Sequence, residues 1–399
     1  MAADKKTHAL PEGYGGREHA YIKHKLLESY LEKLFLIVGM SSQKLRVMEL
    51  CYVDCFSGPW GDESEKLSNT SIAISMRILA KCQQELRRRG ISVRLRALYV
   101  EKDENAFARL QQYISEQTPE GIEACALHGD FVALRSAILD WCGTNAFTFF
   151  FIDPKGWKEV RIDVLRPLLQ RPRSEFLINF MYDFVNRTAS MAEWKDDMAE
   201  LLGEPIDVEG LPAPERERRL LGTYRRNLKG SVNSAGKWLP RAAYVRVLDP
   251  AKERPKYHLV YLTTHPRGII EFMQISEAID QIQKQVRAST RTSTRATKSR
   301  MDDLFPAATF VNPREGHASP DDVEEYWLTY LAGGIRKVGE AVFAEILEET
   351  DWFPGDLQSA LGNLINAGKV RNLDAPRKRP KKPLHWDKDE RLELMEKDQ

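Results

Sequence analysis

The sequence predicts an α/β protein with a doubly wound, largely parallel sheet, followed by a smaller winged helix-turn-helix domain. Three observations predict it. Strand-like apolar runs alternate with helix-spaced segments from residue 49 to residue 181, the pattern of a parallel sheet with crossover helices. Several of those runs end in an acid: Asp54, Glu101, Asp130 and Asp153. Ligands of open α/β sheets sit in the crevice beyond the carboxyl ends of the strands, so acids at four strand ends form a binding-site pattern. Near the C-terminus, helical segments are followed by a basic hairpin, the order of a winged helix.

Taken in order, residues 21–38 carry Ile22, Leu26, Leu27, Tyr30, Leu31, Leu34 and Phe35 at helical spacing. Lys23, His24 and Lys25 fall in the first turn, where a solvated face is the plain explanation. Leu50-Cys51-Tyr52-Val53-Asp54 reads as a buried strand. It breaks into the turn Cys55-Phe56-Ser57-Gly58-Pro59-Trp60-Gly61, whose glycines allow close approach of a ligand. Residues 62–67 are a polar loop, and Asn69 or Thr70 caps a helix through Ile72, Ile74, Met76, Leu79 and Leu86. Strands are expected at 93–100, 122–127, 146–152 and 175–181, and helices at 105–113, 131–142 and 162–169. Residues 183–240 are charged and helix-rich, an insertion. Alternating strands at 241–248 and 257–264 flank Asp249-Pro250-Ala251-Lys252, a hairpin signal, and 268–283 is helical.

The expected domains are residues 1–285, a basic linker at 286–320 rich in Ser, Thr, Arg and Pro, and a winged domain at 321–399. The winged domain has helices at 321–332, 339–349 and 354–367. A strand follows at 369–373, then a basic loop at 377–382 and a return strand at 383–386. Arg377, Lys378, Arg379, Lys381 and Lys382 make this loop a candidate phosphate contact. Winged modules also bind proteins, so both partners stay open.

Composition sets the outer limits. With 399 residues, 42% hydrophobic and 29% charged, the chain has the make-up of a soluble globular protein. No apolar run approaches the roughly 20 residues that cross a bilayer, and residues 1–16 lack a signal-peptide core, so a cytoplasmic location is expected. The net charge is only +1, yet residues 284–300 contain no acid, so a polyanionic partner is not excluded. Cys51, Cys55, Cys82, Cys125 and Cys142 show no paired metal-ligand spacing and read as buried reduced thiols.

The acids define the chemistry. The glycine turn, through Phe56, Ser57, Gly58, Pro59 and Gly61, offers backbone N–H groups to an anion. Asp54 is placed to receive an ammonium or hydroxyl. Glu101, followed by Lys102, suits both hydroxyls of a ribose. Asp130 can accept from an adenine amino group, with Phe56 and Phe131 stacking or packing on the base. Amino acid, ribose and adenine together describe S-adenosylmethionine. No G-x-G-x-x-G is present and Asp54 and Glu101 are too far apart for a dinucleotide fingerprint, which disfavours NAD. The loop Asp153-Pro154-Lys155-Gly156-Trp157 faces the cofactor turn, where Asp153 orients a substrate amine or hydroxyl. Trp157 is placed to stack on a flipped base; alternatively Asp153 caps a helix and Trp157 is core.

These residues resemble a known family. Lys23-His24 with Leu27 and Tyr30, Tyr52-Val53-Asp54-Cys55-Phe56-Ser57-Gly58, Tyr99-Val100-Glu101, Gly129-Asp130, Phe151-Ile152-Asp153-Pro154-Lys155-Gly156, Leu177-Ile178-Asn179-Phe180 and Tyr261-Leu262-Thr263-Thr264 are similar to the three-Cys-motif partner (TcmP) family. The similarity covers about the first 280 residues. It implies a Rossmann-like class I methyltransferase sheet with a terminal antiparallel hairpin, S-adenosylmethionine as cofactor, and a three-Cys-motif protein resembling radical enzymes as partner, in bacteria. It does not supply the substrate. Nucleic-acid amino methyltransferases carry Asp/Asn-Pro-Pro-aromatic; here the second proline is missing and the aromatic comes one place later. Two functions follow: a methyltransferase acting on a base nitrogen or hydroxyl of nucleic acid, or a non-catalytic module of the same fold that binds a partner protein or nucleic acid.

Overall fold

The structure is a computed structural model that describes residues 10–11, 13–58, 69–233, 236–252, 254–299, 311–312, 314–375, 377, 379 and 381–395. The chain divides into two compact units, Met1–Thr264 and His265–Gln399.

The first unit opens with helix α1 (Glu18–Met40) and a short α2 (Ser42–Leu45). Leu26, Leu27, Leu31 and Phe35 of α1 are completely buried, as their spacing requires. Six βα-type elements follow: β1 (Glu49–Asp54), α3 (Ser71–Arg88), β2 (Arg94–Glu101), α4 (Glu104–Gln117), β3 (Ile122–His128) and α5 (Phe131–Cys142). Then come β4 (Phe147–Ile152), α6 (Ile162–Leu169), β5 (Ser174–Phe180), α7 (Tyr182–Thr188), α8 (Lys195–Leu202) and α9 (Ala213–Ser231). The hairpin β6 (Arg241–Leu248) and β7 (Pro255–Thr263) completes the sheet.

Three helices start on side-chain caps. Thr70 Oγ1 accepts from Ala73 N–H at 3.3 Å, Asp103 from Ala106 N–H at 2.8 Å, and Asp130 from Val132 N–H at 2.9 Å. Of the two expected caps for α3, Thr70 does the work.

The seven strands run in the order β3-β2-β1-β4-β5-β7-β6. β1, β2, β3, β4 and β5 pair in parallel, whereas β7 runs antiparallel to both β5 and β6. This is the doubly wound class I methyltransferase sheet with its terminal antiparallel hairpin. Strand order reverses between β1 and β4, which opens the ligand crevice there. Every residue of β5, and all but the first of β1 and β4, is buried, because helices cover both faces. Phe150 and Phe176 stack across β4 and β5 with ring centroids 5.1 Å apart.

The second unit contains α10 (Pro266–Ser299), α11 (Pro320–Leu331), β8 (Arg336–Val338), α12 (Glu340–Thr350), α13 (Pro354–Asn366), β9 (Val370–Asn372) and β10 (Glu390–Leu394). Its antiparallel sheet has the order β8-β10-β9, which makes it a winged helix. Trp327 of α11 is fully buried and donates to Leu357 O at 3.0 Å.

Three expectations are corrected here. The units divide after Thr264, not at residue 285. Residues 286–299 continue helix α10 and are not linker, while 300–310 lie outside the described residues. The cause is polar: Glu277 of α10 accepts from Gly355 N–H of α13 at 3.0 Å, tying α10 to the winged core. A side chain at Gly355 would collide with that carboxylate. Finally, the return strand of the wing is β10, not 383–386, and β8 has no counterpart in the sequence reading. Three residues, two of them exposed, carry too little alternation to announce a strand.

All five cysteines are free, and burial pushes the Cys51 and Cys82 thiols up to about 12. No helix among the described residues is long and apolar enough to cross a membrane.

Arg171 supports the amino ends of β4 and β5. Its buried guanidinium donates to the carbonyls of Gly143 at 2.7 Å, Ala146 at 2.8 Å and Pro172 at 3.0 Å, and to Ser174 Oγ at 3.0 Å. Arg171→Met strands those acceptors in an apolar setting. The expected loss is about 2–4 kcal/mol of unfolding free energy, read from urea denaturation.

Candidate active site

The carboxyl edge of the parallel strands gathers Asp54 from β1, Glu101 from β2, Asp130 after β3 and Asp153 after β4. These four strands are adjacent in the sheet, so the acids share one edge.

Asp54 is completely buried. One oxygen accepts from Phe56 N–H at 3.1 Å; the other accepts from Ser71 Oγ at 2.6 Å and Tyr52 OH at 3.4 Å. The hydroxyl expected at Asp54 is therefore supplied by the protein. The carboxylate ties β1 to the turn and to the first residue of α3, and it acts as a positioning residue. Ser57 has the same character: its N–H donates to Val100 O at 2.9 Å, while its Oγ accepts from Val100 N–H at 3.1 Å. Ser57 is thus corrected from cofactor contact to a staple between β1 and β2. Gly58 is half-buried, and Pro59 and Gly61 lie outside the described residues.

Glu101 is 8% exposed, and Asp103 N–H donates to its Oε1 at 2.8 Å. That bond orients the carboxylate and leaves the second oxygen without a hydrogen bond among the described residues. Asp130 spends Oδ1 on capping α5 and is otherwise exposed. Phe56 and Phe131 pack on one another with centroids 5.0 Å apart. Phe131 is 2% exposed, so only the half-buried Phe56 retains surface for a base. Lys102 is exposed beside Glu101.

Asp153 is gripped from two sides. Lys23 of α1 forms an ion pair with Oδ2, and Asn179 at the end of β5 donates to Oδ1 at 2.7 Å. The Lys23 ammonium also sits 5.8 Å from the Tyr257 ring centroid. Asn179 is 4% exposed, and its Oδ1 has no partner among the described residues. A buried acceptor without a donor is costly in a folded protein and marks a place where a ligand donor fits. His24, beside Lys23, accepts or donates to Tyr14 OH at 3.0 Å, and burial pushes its pKa down to about 3.

Sequence reasoning missed Lys23, Asn179 and Tyr257 as site residues. Lys23 read as an ordinary solvated lysine, since nothing local shows that α1 delivers it to a loop 130 positions later. Its recurrence beside His24 in the family resemblance was the available signal.

Trp157 is corrected. It is 6% exposed and stacks on Phe184 at 5.9 Å, with Trp194 edge-on at 6.1 Å. It belongs to the core, so base stacking is closed to it. Pro154 is buried, whereas Lys155 and Lys158 are exposed.

In the wing, Arg377, Lys381 and Lys382 are exposed and make no hydrogen bond or ion pair among the described residues. Arg379 instead pairs with the buried Glu390 at 2.6 Å, which corrects it to a structural role. Lys378 lies outside the described residues.

Burial raises the Asp54 pKa from 3.8 to about 6. The folded state therefore binds the proton more tightly than the unfolded chain. The associated stability is complete below about pH 3.8 and is lost by about pH 6. Between pH 4.5 and 7, Asp54→Asn should gain on the wild type by about 2 kcal/mol in urea unfolding. A constant difference across that range contradicts the shift.

The profile of the GMT-like wHTH domain family matches residues 291–377. No curated protein matches the chain. Among solved structures, the putative methyltransferase yhhF from Escherichia coli is 11% identical with a TM-score of 0.25, covering 57% of this chain and 82% of that one. Podospora anserina methyltransferase PaMTH1 bound to SAH is 10% identical with a TM-score of 0.27, covering 66% and 99%. Human methyltransferase-like protein 13 in complex with SAH is 11% identical with a TM-score of 0.28, covering 67% and 91%. With TM-scores this low, the fold assignment rests on the strand order and pairing described above.

Proposed function

We propose that the first unit binds S-adenosylmethionine at the carboxyl edge of β3, β2, β1 and β4 and methylates a nitrogen or hydroxyl of a nucleic acid. The observation that carries this is the pair of partly engaged carboxylates, Glu101 and Asp130, at adjacent strand ends next to the strand-order reversal. Each has one oxygen committed to a backbone N–H and a second left for a ligand. That donor set fits a nucleoside: Glu101 for ribose hydroxyls, Asp130 for an adenine amino group, and Phe56 for the base.

When bound, this cofactor supplies an electrophilic methyl group on a sulfonium. The protein's part is then positional. Asp54 keeps the turn after β1 in place from beneath. Asn179 Oδ1 and the Asp153 carboxylate offer acceptors to the N–H or O–H of the incoming nucleophile, and Lys23 keeps Asp153 aimed. Exposed Lys102, Lys155 and Lys158 suit a polyanionic substrate. The three-Cys-motif partner is carried by the family resemblance alone, and pull-down of the two proteins expressed together tests it.

A second reading has its own support. The Lys23 ion pair and the Asn179 bond already occupy both oxygens of Asp153, the state expected of a fold retained for docking and not for transfer.

Calorimetry with S-adenosylmethionine tests the first reading. Binding by the intact protein should weaken about tenfold or more in Glu101→Ala, the scale of a lost charge-assisted hydrogen bond. No binding by folded wild-type protein excludes the methyltransferase. A labelled-methyl assay with total RNA and DNA then separates the readings: incorporation abolished by Asn179→Ala and Asp153→Ala supports transfer, and cofactor binding without any incorporation supports docking.

A further inference from the structure

We infer that the winged domain grips nucleic acid by its wing and keeps its third helix out of the groove, so that contact is with the phosphodiester backbone and carries little base specificity. The inference rests on the reading that nucleic acid is the substrate.

Helix α13 occupies the place of a recognition helix, yet Pro354–Asn366 contains no Lys or Arg. Its exposed positions are Ser359, Asn363 and Asn366. Asn363 donates to the Glu324 carboxylate of α11 at 3.0 Å, which places a negative charge on that face. Exposed Asp321, Asp322 and Glu325 lie on α11, and exposed Glu345 and Glu349 on α12. A helix in the major groove lies between two rows of phosphates, and a duplex carries one charge about every 1.7 Å. A helix face without a cation, and with the Glu324 carboxylate bonded to its Asn363, gains nothing from those phosphates.

The wing has the opposite character. Three of its cations are internally neutralised: Arg371 by Glu393 at 2.7 Å, Arg379 by Glu390 at 2.6 Å and Arg391 by Asp374 at 2.7 Å. Those pairs build the hairpin. Lys369, Arg377, Lys381 and Lys382 remain exposed, and their side chains make no ion pair or hydrogen bond among the described residues.

The base of the wing is also held firmly. Gln358 of α13 donates to Leu384 O at 2.9 Å and accepts from Leu384 N–H at 3.1 Å, and Asn372 donates to Pro383 O at 2.8 Å. Anchored residues at the wing's base thus stand beside exposed cations, while the helix exposes only uncharged side chains and a neighbouring carboxylate. Backbone phosphates favour the cations over that helix.

The test is fluorescence anisotropy of the full chain with one labelled oligonucleotide, as single strand and as duplex, over a salt series. Arg377→Ser/Lys381→Ser/Lys382→Ser should lower affinity about tenfold or more and flatten the log–log salt slope by about 2–3. Ser359→Ala/Asn363→Ala/Asn366→Ala should stay within about twofold of wild type. Circular dichroism confirms that both variants fold. The inference is overturned if the helix variant loses as much as the wing variant, if the wing variant is unchanged, or if the intact protein binds neither oligonucleotide. Calorimetry with S-adenosylmethionine on the same samples keeps the two readings apart: cofactor binding without oligonucleotide binding removes the wing inference and the nucleic-acid substrate but leaves the cofactor site standing, and oligonucleotide binding without cofactor binding removes the methyltransferase and leaves the wing contact standing.

Discussion

At the carboxyl end of β1 the chain places a carboxylate where no water reaches it and then surrounds it with donors. Asp54 takes the Phe56 amide, the Ser71 hydroxyl and the Tyr52 phenol. A lone buried charge of this kind is costly, so the donors are a condition of the fold. Their effect is geometric. The turn after β1 and the start of α3 are both pinned to one strand end, and the neighbouring strand is stapled to the same turn through Ser57 and Val100. Glu101 and the residues around Phe56 inherit their positions from that arrangement.

The other half of the site is organised around Asp153, and its logic differs. Here the carboxylate is shared between Lys23 and Asn179, and the surplus is an acceptor, Asn179 Oδ1, buried without a donor. A cation paired with Asp153 and an empty acceptor beside it describe a place prepared for an N–H or O–H group. Asp54 is thus saturated by the protein itself, whereas the Asp153–Asn179 pair still has capacity for a ligand. In the proposed site, structural duty and ligand duty are divided between the two strand ends that flank the reversal point.

The winged unit shows the same economy of charge. Its basic residues divide into those that build the hairpin through ion pairs and those that stay exposed. Only the second group is free to meet a polyanion. Exposed ion pairs contribute little stability individually, but Arg379 pairs with a Glu390 side chain that is 2% exposed, and a buried carboxylate cannot do without its partner.

Much of this was legible in the sequence because it depends on short-range patterning. Apolar runs of strand length, helical spacing from Ile22 to Phe35, acids at strand ends and the Thr70 cap are all local signals, and they determined the sheet, most of its helices and the edge on which the acids gather. The proposal that Glu101 and Asp130 face a ligand also rests on their place at strand ends. What the sequence could not supply is pairing between distant side chains. Tertiary structure alone decided that Lys23 reaches Asp153, that Asn179 is left with a buried acceptor, that Trp157 turns into the core and that Arg379 is consumed by Glu390. It also decided that α10 joins the winged unit, since Glu277 finds its donor at Gly355. Each of these contacts joins segments far apart in the chain, where burial and hydrogen-bond satisfaction are set by the packed fold and leave no periodic trace in the sequence.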